Sequence, residues 1–458
     1  MSERFVPTFP PRGAGPVPVW RGFVGERSRT SVHGWSEQMY ALPYYRRQIM
    51  KLRVHVLIDP PLVEHVMLTN QANYVKPAIA RTLLGPVIGE GLLTADGALW
   101  REQRKIVAAS FSPAAVERVR PVFGAASEAA LDGWRDGETR NVAVDATRAT
   151  MLIIAETLFS ADPRLVSEAA LTHIAAALDG IAGPRLQALL GLPMVPLTPK
   201  GRAARKGRVY LRRTLAELVD DRLRDAAPGD DFLGGIIRDL RDKFGPEQGR
   251  ELAIDNAATF YLAGHETTAN ALAWTLYLLS EQPAVQDAVA AEGQAALAGD
   301  GLAGRSVTAA LPRLHAVLQE TLRLYPPAPR FDRQAVAADV LPNGEAIAPG
   351  DIVSVWPWLL HRSRRLWDDP DAFDPDRFAP EKPRPGRYQY LPFGAGPRIC
   401  VGAQFATVEA LTVLAHWLAR WRFVTLGRPV TVTGLVTMRP RGGVVLRVER
   451  RAQSLAPN

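Results

Sequence analysis

Near its C-terminus the chain reads Phe393-Gly394-Ala395-Gly396-Pro397-Arg398-Ile399-Cys400-Val401-Gly402, and Cys400 is the only cysteine among the 458 residues. A lone cysteine has no partner for an internal disulfide and cannot supply the several thiolates of a structural zinc site. It can still act as the single thiolate ligand of an iron centre. The loop around Cys400 is therefore the first candidate for a functional site.

The residues after Cys400 are predicted to form a helix. Apolar side chains recur there at a helical spacing, at Phe405, Val408, Leu411, Leu414 and Leu418. The N-terminus of this helix would point at the sulfur, where the helix dipole favours a negative charge. Gly394, Gly396 and Gly402 would let the backbone pass close to a flat ligand. The alternative is an unreactive cysteine buried in a turn before a helix.

The spacing F-x-x-G-x-R-x-C-x-G is matched at every fixed position, and it resembles the heme-thiolate loop of the cytochrome P450 family. The resemblance implies that Cys400 is the thiolate ligand of heme b iron. It also implies that Phe393 and Gly402 belong to the cofactor site and that Arg398 reaches a heme propionate. The implied fold is mainly α with small β-sheets, the cytochrome P450 fold.

A second motif lies inside a mostly apolar helix predicted at residues 251–280 and reads Ala263-Gly264-His265-Glu266-Thr267-Thr268. Because Thr267 is four residues beyond Ala263, its hydroxyl can bond the Ala263 carbonyl and open the helix locally. Gly264 leaves room for a small ligand, and Glu266 adds a proton carrier. Taken alone, the motif fits a threonine that bends a helix beside a surface acid. The family resemblance instead implies that Glu266 and Thr267 are the catalytic acid-alcohol pair.

Other motifs follow in the order that the family has them. Trp100 and Arg104 resemble the W-x-x-x-R helix that holds a heme propionate, and Arg333 is a third expected propionate contact. Glu320 and Arg323 form an E-x-x-R pattern, whose spacing places both side chains on one helix face. Such pairs also occur on many solvated helices. With Arg377 of the following Pro-Asp-Arg-Phe tetrapeptide, the resemblance implies a structural cluster that braces the Cys400 loop.

Composition describes an ordinary globular protein with a basic surface. Hydrophobic residues make up 47% of the chain, charged residues 22%, and the formal net charge is +8. A basic surface could serve nucleic acid, an anionic membrane or an acidic protein. The chain has no compact Lys/Arg block interleaved with aromatic residues, which argues against nucleic acid. It also has no secretory signal and no apolar run long enough to span a bilayer, so we expect a cytoplasmic protein without a transmembrane anchor.

The chain is predicted to be a single domain, 1–458, with a proline-rich extended arm on the surface at 1–20 and a tail at 451–458. We expect a strand at 51–58, a helix opened by Pro60, and mostly helices from 97 to 300. A basic amphipathic helix at 202–224 fits either a solvated face or contact with a membrane surface. The remaining expected elements are a helix at 312–324 and strands near 333–341, 352–356 and within 421–449.

The resemblance implies a monooxygenase that inserts one oxygen atom of O2 into a small apolar substrate. No flavin or nicotinamide domain follows residue 450, so we expect electrons from a ferredoxin-type or flavodoxin-type protein with its NAD(P)H reductase. The expected substrate pocket is lined by Leu93, Ala263, Gly264, Ala328, Pro329 and Val436. Arg330 could pair with a substrate carboxylate or face solvent. A peroxide-driven peroxygenase and a non-catalytic heme-thiolate sensor or carrier are the alternatives, and the Glu266-Thr267 pair argues against both.

Overall fold

The computed structural model describes residues 4–15, 30–49, 52–167, 170, 172–173, 176–177, 198–224, 231–298, 302, 305–434 and 436–452. The α-helices in this part of the chain are α1 (Pro60–Glu64), α2 (Ala78–Ile88), α3 (Gly97–Ser110), α4 (Pro113–Ala129), α5 (Val142–Phe159), α6 (Pro163–Val166), α7 (Pro199–Arg224), α8 (Phe232–Phe244), α9 (Pro246–Ser280), α10 (Pro283–Leu297), α11 (Val307–Ala310), α12 (Pro312–Leu324), α13 (Pro357–Leu360) and α14 (Ala403–Arg420).

Small sheets flank these helices. The strands are β1 (Tyr44–Ile49), β2 (Leu52–Leu57), β3 (Tyr74–Val75), β4 (Thr139–Asn141), β5 (Phe331–Ala335), β6 (Asp339–Val340), β7 (Ala346–Ile347), β8 (Ile352–Val355), β9 (Trp421–Thr425), β10 (Val432–Thr433), β11 (Arg439–Pro440) and β12 (Val445–Arg450). The largest sheet has the order β1-β2-β8-β5-β3, in which only β2 and β8 are parallel. A second sheet has the order β4-β12-β9, and β6-β7 and β10-β11 form two-stranded pairs.

The long helix α9 runs through the middle of the molecule. It begins at Pro246, directly after Gly245. Gly245 has φ +83°, a left-handed conformation that glycine adopts without strain, and proline is favoured at the first helical position, so this pair sets the start of the helix. Nearly every side chain from Leu252 to Leu279 is buried, on all sides of the helix. Helices α5, α7, α8, α12 and α14 pack around it. In the described part of the chain, neither α9 nor any other helix has the length and apolar character to cross a membrane.

The N-terminal arm is extended as expected, but it is anchored rather than simply laid on the surface. Pro7 and Pro10 are buried within the described arm residues 4–15. The Arg12 guanidinium donates to Asp371 Oδ2 at 2.7 Å and lies 3.8 Å from the centre of the Tyr40 ring. The remaining residues of the predicted arm, 1–3 and 16–20, lie outside the described residues, as does the tail beyond residue 452.

One hydrophobic cluster extends from Val32 to Val448 and includes the faces that α5, α9 and α14 turn toward each other. Among the described residues of 97–300, the expected helical character is interrupted by one strand, β4, which pairs with β12 in the register Val445↔Asn141. That strand is only three residues long, and its partner lies some three hundred residues away in sequence. No local pattern could have predicted it. The assignment of 1–458 as a single domain stays a prediction.

Candidate functional site

A cavity lies between the middle of α9, the N-terminal end of α14 and helices α3, α5 and α12. It encloses about 1400 Å³ of empty space, including its open mouth. Its walls are mostly apolar, and the larger side chains that form them are Phe111, Ile154, Leu158, Phe260, Leu318 and Leu322. Cys400 and its neighbours Arg398, Ile399, Val401 and Gly402 also line the cavity. The cavity therefore brings the lone thiol of the chain into a mostly hydrocarbon environment.

The loop that carries Cys400 is held in one conformation by its glycines. Gly394 and Gly396 have φ values of +78° and +66°. At Gly396 an added Cβ would stand 1.9 Å from the Met67 carbonyl oxygen, so no other residue fits there. The Cys400 amide donates to the Phe393 carbonyl at 2.9 Å and closes the loop. This geometry fixes the position of the thiol before any ligand binds.

The surroundings of the sulfur combine burial with two favourable contacts. Burial among protein atoms raises the pKa of the Cys400 thiol, whereas the backbone N–H of Gly402 and the positive charge of Arg104 lower that pKa. The helix α14 begins at Ala403, directly after Gly402, so its N-terminal end lies next to the sulfur as predicted. The site therefore offers a thiolate both a hydrogen-bond donor and a nearby cation.

Positively charged side chains gather along one edge of the cavity. The Arg398 guanidinium donates to the Ala95 carbonyl at 2.9 Å, pairs with Asp96, and stacks 4.2 Å from the centre of the Trp100 ring. Arg104, one turn after Trp100 on α3, also lines the cavity, and no carboxylate among the described residues pairs with it. Trp100, Arg104 and Arg398 are thus brought together at the edge where the resemblance places the heme propionates.

Two more cations complete this edge, and one of them was not predicted from the sequence. Lys76 lines the cavity, and its burial and the charges of Arg333 and Arg398 lower its pKa to about 7. Arg333 is buried, and desolvation together with Arg398 lowers its pKa to about 10. Lys76 precedes a proline in an irregular segment and belongs to no recognisable motif. The four cations outnumber the acids Asp96 and Asp332 beside them, which leaves an unbalanced positive charge.

Thr267 faces the cavity in the predicted way. Its hydroxyl donates to the Ala263 carbonyl at 2.9 Å, and both residues line the cavity wall on α9. Gly264 also lines the cavity, but its role differs from the expected one. A Cβ on Gly264 would come within 2.6 Å of Ile154 Cδ1, so a larger residue would force the Ile154 side chain to shift where α9 and α5 pack closely. The space beside Gly264 therefore serves the contact between α9 and α5 as well as a ligand.

Glu266 does not line the cavity. Its Oε1 accepts a hydrogen bond of 2.6 Å from the Thr437 hydroxyl and lies 3.9 Å from a guanidinium nitrogen of Arg439. Both partners belong to the segment that includes the β10-β11 pair. The acid and the alcohol of the predicted pair are therefore adjacent in sequence but point to different surroundings. A 3.6-residue helical period turns consecutive side chains about 100° apart, which accounts for the difference.

The structure brings Glu320, Arg323 and Arg377 together. The Arg323 guanidinium makes two bonds to the Glu320 carboxylate, at 2.6 and 2.7 Å, and both side chains are 0% exposed. Arg377 lies 3.5 Å from Glu320 Oε1. The remaining Arg323 donors bond the carbonyls of His361, Pro370 and Ala372. Three hydrogen bonds of this buried cation thus hold the long loop 361–377, and the other two hold Glu320 on its own helix.

His361 connects this cluster to the cysteine loop. Its Nε2 accepts a 2.7 Å hydrogen bond from the Leu391 amide, while its carbonyl accepts from Arg323. Burial, followed by the charges of Arg323 and Arg362, lowers the pKa of His361 to about 3, so the ring is neutral and free to accept. The Leu391 carbonyl in turn accepts from the Gly394 amide at 3.2 Å. A continuous set of hydrogen bonds therefore runs from Arg323 to the loop before Cys400.

Four of the six residues expected in the substrate pocket lie on the cavity wall, and the substrate pocket itself stays a prediction. Leu93, Ala263, Gly264 and Ala328 line the cavity, whereas Pro329 and Val436 are absent from its wall. The Pro329 carbonyl instead accepts from the Trp358 amide, and the Val436 side chain is 47% exposed. Arg330 is 3.3 Å from Asp332 and stacks on the Trp356 ring. Its side chain is 35% exposed and so also faces solvent in part, while pairing with a substrate carboxylate stays a prediction.

Glu409 is a further cavity residue that sequence reasoning missed. It lies on α14, is 0% exposed, and neither carboxyl oxygen has a hydrogen-bond partner within the described structure. Burial raises its pKa well above the ordinary range. Thr268 on α9 is also buried, and its hydroxyl, although it makes no hydrogen bond in the described structure, lies near enough to the Glu409 carboxyl group to lower that pKa by a smaller amount. The only sign of this in the sequence was an acidic residue in the first half of a helix that is otherwise mostly apolar.

Comparison with known proteins identifies the family. The sequence profile described as Cytochrome P450 matches residues 11–446. The chain belongs to the cytochrome P450 family. It is 31% identical over 395 residues to cyclooctatin synthase of Streptomyces melanosporofaciens, covering 85% of this chain and 83% of the relative.

Two further comparisons agree with that assignment. The cyclooctat-9-en-7-ol 5-monooxygenase of the same organism is 31% identical over 398 residues, covering 84% of this cytochrome P450 and 82% of the relative. The crystal structure of the cytochrome P450DA heme domain superposes with a TM-score of 0.80 at 25% identity, covering 98% of this chain and 99% of that one. The expected fold, mainly α with small β-sheets, is therefore confirmed.

Membership of the family gives the cofactor and the class of reaction. The cofactor is heme b, and the protein is a heme-thiolate monooxygenase, an oxidoreductase that incorporates oxygen from O2 into an organic substrate. The described residues fit that cofactor. One thiol faces an apolar cavity, and the unbalanced cations along one edge match a ligand that carries two carboxylates. No cluster of three His, Cys, Asp or Glu residues in the described structure could hold a metal ion by itself.

Proposed function

We propose that Cys400 is the thiolate ligand of the heme iron and that the cation edge holds the two propionates. Trp100, Arg104, Arg333 and Arg398 are the expected propionate residues, and Lys76 joins them. The observation that supports this proposal is the arrangement of one cavity with the only thiol on its wall and four cations along its edge. Heme b, when bound, supplies the iron at which O2 is activated. Phe393 and Gly402 position the loop beside it.

Thr267 is proposed as the group that handles protons on the α9 side of the cavity. Its hydroxyl hydrogen is directed to the Ala263 carbonyl, so its oxygen is available to accept a hydrogen bond from the cavity side. Glu266 is proposed as the acid that exchanges protons with the exterior. Its contacts with Thr437 and Arg439 place it on the side of the β10-β11 pair. A proton would reach Thr267 from Glu266 by way of water or a change of the Glu266 rotamer.

The substrate is proposed to be an apolar molecule with few polar groups. Leu93, Ala263 and Ala328 contribute small or aliphatic side chains to the cavity wall. One relative is named for its action on cyclooctat-9-en-7-ol, a substrate whose name gives a single hydroxyl. Thr259 on α9 faces the same cavity and could accept a hydrogen bond from such a hydroxyl. We therefore propose a cyclic hydrocarbon or its alcohol as the substrate class.

A ferredoxin-type or flavodoxin-type protein is proposed as the electron donor, reduced by its own NAD(P)H reductase. Family membership supports an electron donor and an apolar substrate in general terms. Exposed basic residues near the cysteine side, such as Lys105 on α3, support a donor with an acidic surface. The cytoplasmic location inferred from the sequence stays a prediction, and cell fractionation followed by immunodetection would test it.

The assignment of Cys400 is tested by the spectrum of the reduced carbon-monoxide complex. The wild-type protein should show the red-shifted Soret band of thiolate ligation, and Cys400→His should lose that band and the monooxygenase activity. Arg118→Gln, at an exposed position on α4, is the control and should keep both. A spectrum of histidine ligation in the wild type would contradict the proposal.

Turnover of the same preparations tests the role of Thr267. Thr267→Ala should bind heme and substrate normally, yet it should direct a larger share of its electrons to hydrogen peroxide or water, and a smaller share to product, than the wild type does.

The alternative functions are tested by changing the oxidant. Product formed from peroxide alone, at the rate reached with NAD(P)H and a surrogate ferredoxin system, would identify a peroxygenase. Heme binding without product under either condition would favour a sensor or carrier.

A further inference from the structure

The carboxylate of Glu266 is held by a segment outside its own helix. This segment, which we call the 431–441 hairpin, contains the β10-β11 pair, is described apart from residue 435, and packs against α9. Its Thr437 hydroxyl donates to Glu266 Oε1 at 2.6 Å, and a guanidinium nitrogen of Arg439 lies 3.9 Å from the same oxygen. The first contact is a hydrogen bond, whereas at the second distance opposite charges attract without one. Thr437 therefore fixes the direction of the carboxylate as well as its distance.

The hairpin is fastened on both sides of Thr437. The amide of the next residue, Met438, donates to the Pro327 carbonyl at 2.8 Å, and the Met438 side chain is 0% exposed. On the other side, Gly434 has φ +109°, and an added Cβ there would stand 1.9 Å from the Thr437 carbonyl oxygen, so the turn is tight. The hydroxyl thus has a fixed place, which the carboxylate on α9 can leave and reach again by rotating its own side chain.

Solvent exposure falls from the hairpin toward α9. The Arg439 side chain is 39% exposed, Thr437 is half-buried, and the Glu266 side chain is 14% exposed. Thr267, the next residue on α9, lines the cavity. The order from the exterior to the cavity is therefore hairpin, Glu266 and Thr267. A proton that enters from solvent on this side meets the hairpin before it meets the acid.

We propose that Thr437 is a positioning residue for proton delivery and acts through Glu266. A hydroxyl can donate one hydrogen bond and accept another at the same time. Thr437 passes its own proton to the Glu266 carboxylate and takes a replacement from a hydronium ion on the solvent side, so the hydroxyl stays neutral throughout. Hydrogen bonds to an ionised carboxylate are stronger than those to a neutral acid. Once protonated, the acid is therefore held less firmly by the hairpin and can turn toward Thr267.

This role of Thr437 rests on the proposed role of Glu266 and extends it to the exterior. Each turnover consumes two protons and two electrons, because one oxygen atom of O2 enters the substrate and the other leaves as water. The electrons come from the donor protein, and the protons must reach a cavity whose walls are mostly apolar. A general acid must be protonated again after every transfer. Slow reloading of Glu266 would therefore divert electrons from product.

Thermal unfolding tests the bond itself, without turnover. Thr437→Val removes the hydroxyl and keeps a side chain of similar size, and Glu266→Ala removes the acceptor. In the wild-type background Thr437→Val should lower the unfolding midpoint by about 1–3 °C, because a hydrogen bond to a charged group is lost. In the Glu266→Ala background the same change should have no further effect, since residues that share a bond are not additive. An equal decrease in both backgrounds would contradict the bond.

Turnover of the heme-loaded chain with a surrogate ferredoxin system tests the proton relay. The probe is a cyclic apolar alcohol that the wild type oxidises. Thr437→Val should lower the fraction of electrons recovered in product by about three-fold to ten-fold and increase the solvent deuterium isotope effect on product formation. Its affinity for the probe, measured by the heme spin-state shift, should not change. Thr437→Ser should recover most of the lost product, and Thr431→Val, the same change at an exposed position of the same hairpin, should match the wild type.

Comparison with Glu266→Gln separates this role from the proposed function. If Glu266→Gln diverts electrons from product and Thr437→Val does not, the hydroxyl only fastens the hairpin, and the proposal for Thr437 is wrong while that for Glu266 stands. If neither variant changes the yield of product, both proposals fail. The double variant should lose no more product than Glu266→Gln alone. A further loss would show that Thr437 acts by another route and would also overturn its proposed role.

Discussion

At the scale of single residues, the protonation state of the buried acid Glu409 can be detected from the pH dependence of protein stability. Its carboxyl group lies inside α14 with no hydrogen-bond partner in the described structure, and burial raises its pKa well above the ordinary range. An ionised carboxylate without a partner in such a place would be very costly, so the group is expected to be neutral at neutral pH. A neutral carboxylic acid resembles an amide in size and shape.

Glu409→Gln should therefore become more stable relative to the wild type as pH rises. In the unfolded chain the carboxyl group ionises near pH 4.3, whereas in the folded protein it keeps its proton to a higher pH. Above pH 4.3 the folded wild type binds the extra proton, so its stability falls by up to about 1.4 kcal/mol per pH unit until the raised pKa is passed. Glutamine does not titrate and avoids this loss.

Thermal unfolding midpoints of both proteins, measured from pH 5 to pH 8 (a range of roughly three units in which most other carboxyl groups are already ionised), check this expectation. Glu409→Ala is the control, because it leaves a cavity and should be destabilised at every pH. A difference between Glu409→Gln and the wild type that is the same at all pH values would contradict the protonated state.

Contacts between residues close in sequence could be predicted, and contacts between distant ones could not. The bonds from Arg323 to Glu320 and from Thr267 to Ala263 follow from spacings of three and four on a helix. Lys76 at the cation edge had no such signal, because its neighbour Arg398 lies more than three hundred residues away. The sequence motif likewise did not reveal that Glu266 turns toward Thr437.

At the scale of elements, α9 fastens the segment between α2 and α3 that borders the cavity. Asp255 on α9 accepts from the Glu90 amide at 2.7 Å, and Asn256 accepts from the Leu92 amide at 3.1 Å. Asp255 also pairs with Arg212 of α7. Since Leu92 lines the cavity, these bonds connect two helices and one cavity wall through a single turn of α9.

Asp255→Asn should speed the entry and exit of apolar ligands. A hydrogen bond to a charged acceptor contributes about 1.5–3 kcal/mol and one to a neutral acceptor about 0.5–1.5 kcal/mol, so the weaker bond to asparagine would raise the population of the open segment by roughly five-fold to ten-fold. Stopped-flow measurement of the heme spin-state change with an apolar ligand gives both rates. Glu251→Gln, one turn earlier on α9 and exposed, is the matched control and should leave them unchanged. Rates unaltered in Asp255→Asn would show that the segment does not limit access.

The boundaries of helices could be predicted from the sequence where a proline or a glycine marks the beginning or the end of the helix. Helix α12 spans Pro312–Leu324 as predicted, because Pro312 opens it and the prolines at 326 and 327 prevent its continuation. Helix α9 begins five residues before its predicted start at 251, since the Gly245-Pro246 pair was not used as a start signal. Strand β4 was missed because only its pairing with β12 makes it a strand.

At the scale of the whole molecule, the net charge of +8 bears on the electron donor. Lys105 is exposed on α3, next to the Arg104 that lines the cavity. Arg387, a second exposed basic residue and thirteen positions before Cys400, lies 3.2 Å from Glu64, so part of its charge is compensated. Lys105 is therefore the cleaner probe of an acidic partner. Attraction between opposite charges mainly raises the rate of encounter, and salt screens it over about 8–10 Å.

Electron transfer at a limiting concentration of a ferredoxin should slow as ionic strength rises, and Lys105→Glu should slow it further at low salt. The expected decrease for one reversed charge is about three-fold to ten-fold, with substrate binding unchanged. Arg202→Glu on α7 provides a control with the same charge change and should have little effect. A rate that responds to neither salt nor Lys105→Glu would assign these charges to ordinary solvated surface.

The anchored N-terminal arm also limits when the protein can complete its folding during synthesis, because the contacts of the arm must wait for their partners. Thr8 is synthesised more than three hundred residues before Tyr325, yet its carbonyl accepts from the Tyr325 hydroxyl and its own hydroxyl donates to the Val430 carbonyl. At a translation rate of roughly 5–20 residues per second, these partners follow the arm by tens of seconds. During that interval the arm has no native site to occupy. The Cys400 loop lies between Tyr325 and Val430 in the sequence, so the stretch that secures the arm also supplies the thiol.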